Sequence, residues 1–81
     1  MSTASKTMIE DFRALKRAGV TDFLCTTWAR GRRHKPVLRR TAQGVSAYAN
    51  RMYRQYGDEV AVEVGYFDSN FAWHTYCTYS A

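Results

Sequence analysis

A run of basic side chains between positions 30 and 40 is the part of the sequence whose residue types best suit a chemical task. Six of the twelve Lys and Arg residues lie there without an intervening acid: Arg30, Arg32, Arg33, Lys35, Arg39 and Arg40. His34 lies inside the run, and the chain carries a net charge of +5. Guanidinium groups bind phosphates and carboxylates through paired hydrogen bonds. The sequence therefore predicts that this basic run, His34 included, contacts nucleic acid or an acidic protein surface.

The same charges have a second explanation that needs no partner. Exposed basic residues keep a small protein soluble and prevent an edge strand from pairing with another molecule. The residue types leave both explanations open, and they do not distinguish a polyanion from an acidic protein surface.

A second candidate surface consists of Phe67, His74 and Tyr76, which we expect on the outer face of the last two predicted strands. Exposed aromatic rings on a sheet beside arginines suit base stacking, and they equally suit a protein interface. The sequence lacks the glycine- and aromatic-rich signature of an RNA-recognition strand. Either partner class is therefore compatible with this surface.

Catalytic and metal-binding patterns are missing from the sequence. His34 and His74 have no spacing that pairs either one with a nucleophile. Cys25 and Cys77 fall in separate predicted strands and suit small buried side chains better than a disulfide framework or a metal site. We therefore expect a protein that is not an enzyme and that has no metal and no cofactor.

Length and composition predict one small folded domain spanning residues 1–81. The hydrophobic fraction of 46% is too high for a disordered chain, and 15% of the residues are aromatic. No stretch approaches the roughly 20 apolar residues of a membrane span, and the first residues lack the layout of a signal peptide. We expect a cytoplasmic protein that does not contact membranes.

The elements that must position the candidate residues include a helix after Thr41, which can cap it, and before Gly57, which can end it. Its apolar stripe has helical spacing and consists of Val45, Tyr48, Ala49, Met52 and Tyr56. Its predicted solvent side consists of Ser46, Asn50, Arg51, Arg54 and Gln55.

Two strands with alternating apolar residues follow, Val60 to Phe67 and Phe71 to Tyr79. If Ser69-Asn70 is a two-residue loop, Tyr66 lies opposite Trp73 and Val64 lies opposite Thr75. This register directs Phe67, His74 and Tyr76 to the outer face, together with Glu63 and Thr78.

The first half of the chain predicts a helix and two further strands. A polar lead, Met1 to Lys6, is expected to fray, and Thr7 to Glu10 resembles a capping box before a helix that Gly19 ends. The apolar stripe of that helix consists of Met8, Phe12 and Leu15, with Ile9 beside it. Val20 to Arg30 reads as a central strand, and Gly31 to His34 as a loop. A short strand over Lys35 to Arg40 lies at an edge or begins after Pro36.

The resulting order is αββαββ, with short connections. It predicts an α+β two-layer sandwich, in which two helices cover one face of a four-stranded, mostly antiparallel sheet.

A very small α+β protein with a helix-then-hairpin segment, Gly44 to Tyr79, and a dense basic run, Arg30 to Arg40, resembles the small phage-encoded inhibitors of bacterial immunity, the anti-CRISPR proteins in particular. The resemblance covers the whole chain in size and architecture and includes no shared motif, so it assigns no functional residue. It implies a stoichiometric inhibitor that occludes or locks a host nucleoprotein complex, such as a CRISPR effector complex, in a bacterial cytoplasm. A small nucleic-acid-binding regulatory protein is the alternative.

Overall fold

The computed structural model describes residues 4–80 and has two helices on one face of an antiparallel sheet. The elements are α1 (Lys6–Arg17), β1 (Phe23–Ala29), β2 (Arg32–Arg33), β3 (Val37–Arg39), α2 (Ala42–Tyr56), β4 (Val60–Phe67) and β5 (Trp73–Ser80). A single turn of 3-10 helix, Gly57–Glu59, joins α2 to β4. The predicted α+β class and the αββαββ order are confirmed. Strand β3 lies within the second predicted strand, Lys35 to Arg40, and β2 is an additional short strand before it.

Strand β1 is central, as predicted. From Leu24 to Ala29 it pairs with β4 on one side, and β5 follows as the outer strand beyond β4. On the other side β2 pairs with the end of β1 and β3 pairs with its beginning. Pro36 has no amide hydrogen for a sheet and lies between the two short strands, so β3 begins after the proline.

The core lies between the sheet and the two helices. Phe23 and Cys25 of β1 are fully buried, and Val62 and Val64 of β4 are buried beside them. Phe12 of α1 stacks on Phe23 with ring centroids 3.8 Å apart. Phe23 and Cys25 therefore lie on the face of β1 that packs against the helices.

The ends of α2 are also as predicted. The Thr41 side chain accepts a hydrogen bond from the Gly44 amide at 3.0 Å, and Gly57 ends the helix with a φ of 68°. Ser46 was predicted to face solvent, and it is buried against α1 instead, where its hydroxyl lies 3.9 Å from the Met8 sulfur. A serine is small enough to fit where the two helices meet, so its polarity did not indicate its position.

Helix α1 begins earlier than the sequence indicates. Ser5 caps it by accepting a hydrogen bond from the Met8 amide at 3.1 Å. The predicted capping box at Thr7 is therefore wrong, and Ser5 and Lys6 of the predicted polar lead form the cap and the first residue of the helix. Residues 1–3 of the predicted polar lead lie outside the described residues. Gly19 follows the end of the helix with a φ of 103°, as predicted.

The predicted register of the second hairpin is wrong. Phe67 pairs with Trp73, so five residues form the loop, and Asp68 organises it by accepting hydrogen bonds from the amides of Asn70 and Ala72. A bulge at Tyr76 then shifts the pairing again, so that Val64 lies opposite Cys77. Both irregularities depend on side-chain and tertiary contacts that alternation in the sequence does not reveal.

No helix within residues 4–80 is both long enough and apolar enough to cross a membrane.

Candidate functional site

The first hairpin places the basic run along one edge of the sheet. A two-residue turn, Arg30-Gly31, connects β1 to β2, and both residues have positive φ, 52° and 74°. This is the conformation of the tight turns that match the twist of a hairpin. The predicted loop over Gly31 to His34 is therefore wrong, because Arg32 and Arg33 are strand residues and the His34 amide donates to the Thr27 carbonyl.

Strand alternation sends the arginines to both sides of the sheet. Arg32 lies opposite Ala29, which faces the helices, whereas Arg33 lies opposite Trp28, which faces away from them. The Arg33 guanidinium carbon is 5.8 Å from the centre of the Trp28 ring. The basic run therefore lies at one edge of the sheet and extends side chains towards both of its faces.

Two tyrosines of α2 hold basic side chains on the helix side. The guanidinium carbons of Arg39 and Arg51 lie 5.4 Å and 5.6 Å from the centre of the Tyr48 ring. The Tyr48 hydroxyl is fixed by a buried hydrogen bond of 2.8 Å to the Thr27 hydroxyl. Since both guanidinium groups lie against one ring, they are at most about 11 Å apart. They can therefore act on one extended anion.

Tyr56, the last residue of α2, contacts two further residues of the basic run. The Arg30 guanidinium carbon is 5.3 Å from its ring centre, and the His34 ring centre is 5.4 Å away. Arg–ring contacts of this kind restrict a long side chain while leaving its N–H groups available. We call the whole set the basic edge, and it consists of Arg30, Arg32, Arg33, His34, Lys35, Arg39 and Arg51.

Arg40 is the member of the predicted run that turns away. It forms an ion pair with Asp22 at 3.5 Å, and its side chain is 83% exposed. Within residues 4–80, no basic-edge residue has an ion pair with an acid. Among the described residues, the cationic groups of the basic edge therefore have no direct acidic partner.

Sequence reasoning missed Arg51, which it placed among solvent-facing residues of α2. Tyr48 and Arg51 are three residues apart on the helix, a spacing that brings side chains together. That spacing is a usable signal, but the approach of Arg39 from β3 to the same ring requires the tertiary structure.

The three residues of the second predicted surface are not together. Phe67 faces away from the helices, as predicted, but the shifted register turns His74 and Tyr76 to the helix side. His74 stacks on Tyr66 and lies 2.7 Å from Asp68, and the Tyr76 hydroxyl donates a hydrogen bond to Asp11 in α1 at 2.6 Å. Burial and the bond to Asp11 both raise the pKa of Tyr76. The predicted grouping of these residues on one face is wrong.

Different aromatic residues accompany Phe67. Trp28, Phe67 and Trp73 are 46%, 47% and 41% exposed, and the Trp73 ring lies across Gly65. Leu38 pairs with Leu24 on the same side and is exposed. We call this side the open sheet face, and its members are Leu24, Trp28, Leu38, Glu63, Phe67 and Trp73.

The titratable groups of the described residues were compared with the requirements of a metal site and of a reactive thiol. Residues 4–80 contain no group of three or more His, Cys, Asp or Glu side chains placed to hold a metal ion. Burial raises the pKa of the Cys25 thiol to about 11, which disfavours the reactive thiolate. The hydrogen bond from His74, followed by the Ala72 amide, lowers the pKa of Asp68.

Unpaired cations held against aromatic rings are thus the chemical feature of the described chain that most clearly suits a partner. Such groups bind phosphates or carboxylates without any covalent step. In comparisons with known proteins, no protein-family model, no curated protein and no solved structure matches this chain.

Proposed function

We propose that this protein is a non-catalytic binding protein that occludes or locks a host nucleoprotein complex through the basic edge, as an inhibitor of the anti-CRISPR type. The observation that carries the proposal is the arrangement of arginines over Tyr48 and Tyr56, with no acidic partner for them within the described residues 4–80. In this proposal the protein acts in a bacterial cytoplasm, and a CRISPR effector complex is the partner that the resemblance in size and charge suggests.

Preorganisation supports a binding role for these arginines. A free arginine loses rotamer entropy when it binds an anion, and a side chain already resting on an aromatic ring loses less. Tyr48 is itself buried and held by its hydrogen bond to Thr27, so the ring under Arg39 and Arg51 is fixed in place. The site is therefore built to present charge without rearranging the core.

A small nucleic-acid-binding regulator is the second candidate. It is favoured by Arg33, whose guanidinium lies beside the exposed Trp28 ring at the border of the open sheet face. A cation next to an exposed ring can bind a phosphate while the ring stacks on the adjacent base.

Charge reversal at the basic edge tests the proposal. Arg32, Arg33 and Lys35 are exposed, so changing all three to Glu should leave the melting temperature nearly unchanged. Binding to the partner should fall by orders of magnitude, and wild-type affinity should decrease steeply with salt. The matched control changes Lys6, Arg13 and Lys16 of α1 to Glu, because these are also exposed and alter net charge equally.

Pull-down from a bacterial lysate, with and without nuclease, separates the two candidates. A protein partner that survives nuclease and is lost in the triple variant supports the inhibitor. Loss of every partner with nuclease supports the nucleic-acid-binding regulator. A triple variant that binds its partner normally at all salt concentrations would contradict both candidates.

A further inference from the structure

We infer that the open sheet face binds a single-stranded nucleic acid, with bases stacked on its indole rings and phosphates held by the adjoining basic edge. The inference rests on the second candidate under the proposed function, a nucleic-acid-binding role for the basic edge, since it names the kind of nucleic acid that the edge receives. It adds a surface of different chemistry, on the side of the sheet opposite the helices.

The aromatic residues of this face are exposed to a degree that stacking requires. Trp28 and Trp73, the two tryptophans of the sequence, are 46% and 41% exposed, and Phe67 is 47% exposed. Aromatic rings on an antiparallel sheet offer flat apolar area to the faces of bases, and bases are released for such contact when the strand is single.

Charge on the same face supports a nucleic acid as the occupant. Arg33 lies opposite Trp28 in the β1–β2 pair, with its guanidinium carbon 5.8 Å from the ring centre. Arg32, which points to the helix side of the same short strand, and Lys35 are also exposed at this edge. A nucleic-acid backbone bound by these cations would place its first base against the Trp28 ring.

The spacing of the two indoles favours an extended strand. The Trp73 ring covers Gly65, which pairs with Leu24, and Leu24 is four residues from Trp28 in β1. At about 3.3 Å per residue, the indoles lie roughly 13 Å apart along the strands. Neighbouring bases in a duplex are only about 3.4 Å apart. The two rings therefore fit splayed bases of a single strand.

Glu63 lies on β4 between these two positions. Its Oε2 atom accepts a hydrogen bond of 3.0 Å from the Thr75 hydroxyl, which in turn accepts one of 3.2 Å from the Trp73 indole. A carboxylate there repels a phosphate and can accept from the amino group of a base such as cytosine. The charges thus place phosphates at the edge and bases over the middle of the sheet.

Tryptophan fluorescence tests the inference directly, because both tryptophans belong to the proposed surface. The probes are oligothymidylate and oligouridylate of about 12 nucleotides, the matching DNA duplex, and heparin as a polyanion without bases. We expect either single strand to quench the fluorescence on binding, and we expect heparin and the duplex to bind with little quenching. Comparison of the first two probes shows whether DNA or RNA is preferred.

Variants provide the second measurement. Trp28→Ala should weaken binding of the preferred single strand by about 5- to 150-fold and leave heparin binding unchanged, and Trp28→Phe should restore much of the loss. Tyr53→Ala is the matched control, since Tyr53 is 45% exposed but belongs to α2. The affinity of the Tyr53→Ala variant for the single strand should equal that of the wild type.

The outcomes separate this inference from the proposed function. Binding of heparin and oligonucleotides without quenching, unaffected by Trp28→Ala, would overturn the inference and leave the basic-edge proposal standing. Failure of every probe to bind would contradict both the inference and a nucleic-acid role for the basic edge. A nuclease-resistant protein partner that Trp28→Ala releases would assign the open sheet face to a protein and overturn the inference.

Discussion

The two hairpins of this sheet are built from similar lengths of chain, yet they use their residues in opposite ways. The first, β1 with β2 and β3, turns on Arg30 and Gly31 and carries most of its charge along an outer edge. The second, β4 with β5, turns on a five-residue loop and directs Val62 and Val64 into the core. Its exposed residues are largely aromatic or neutral.

This difference distinguishes residues that stabilise the fold from exposed residues that can bind a partner. In the first hairpin β1 supplies the core, whereas Arg32 and Arg33 of β2 are exposed. In the second hairpin β4 is mostly buried, and β5 is tied to α1 through Tyr76 and Asp11. Stability and binding should therefore respond to different substitutions.

The largest effect is expected from Val62→Asp, because Val62 is 1% exposed in the core. An unpaired buried charge costs several kcal/mol, and a domain of this size has about 5 to 15 kcal/mol of stability in total. The variant should be unfolded by circular dichroism. Arg32→Asp in the first hairpin is the control and should keep the wild-type spectrum. Cooperative unfolding of Val62→Asp near the wild-type midpoint would contradict the assigned face of β4.

The next effect contrasts two glycines. At Gly65 a Cβ would overlap the Trp73 ring and lie 2.6 Å from the His74 carbonyl oxygen, so Gly65→Ala should destabilise by about 1–3 kcal/mol. Gly31 has open space around it and a positive φ, which asparagine tolerates, so Gly31→Asn should be nearly neutral. Chemical denaturation measures both free energies.

A double variant sharpens the Gly65 prediction. Adding Trp73→Ala to Gly65→Ala should recover part of the loss, because it removes the ring that the new methyl group meets. Equal stability of Gly65→Ala and wild type would mean that the indole does not rest on the strand.

A smaller effect is expected at Arg30, which is a non-glycine residue with a φ of 52°. That conformation costs an L-residue about 1 kcal/mol, and asparagine adopts it more readily. Arg30→Asn should therefore raise the melting temperature while it weakens binding to heparin, since a cation over Tyr56 is lost. Arg32→Asn should weaken binding without the gain in stability. A fall in melting temperature for Arg30→Asn would contradict strain at this turn.

The smallest effect concerns pH and the loop of the second hairpin. The hydrogen bond from His74 lowers the pKa of Asp68 below its ordinary 3.8, so this contact stabilises the fold above that pH. The contribution is lost as the pH falls through the lowered value. Asp68→Asn should therefore melt below wild type at pH 7, and the difference should close in acid. A difference that stays constant to pH 2 would show that the charge of Asp68 has no part in it.

Local signals predicted the elements that depend on local chemistry. Thr41, Gly57 and the alternation of β4 sufficed because caps and strand faces are determined by neighbouring residues. The register of β5 was mispredicted because it depends on the Asp68 loop and on a bulge at Tyr76. The loop depends on hydrogen bonds to the Asp68 side chain, and the bulge residue Tyr76 bonds to Asp11 of α1; the alternation of residues in β5 indicates neither.

The candidate site was predicted to a similar extent. The basic run is visible in the sequence, but its division between two sides of the sheet follows from the tight turn at Arg30-Gly31. The rings that hold it belong to α2, and Arg51 joins only because Arg39 approaches the same tyrosine. The open sheet face was expected to contain His74 and Tyr76. Trp73 was not anticipated there because the register of β5 was wrong, and Trp28 of β1 was not included in the predicted surface.

The pairing of β1 with β4 has a kinetic consequence. Partners such as Leu24 and Gly65 are about 40 residues apart in the chain, and β3 and α2 lie between them. The entropy of closing that long segment must be lost before the central contacts form, so folding should be slower than in helical domains of equal size. Neither hairpin can form the core alone, because the core lies between the whole sheet and the two helices. We expect one cooperative transition in which the chain collapses around β1 as β4 arrives.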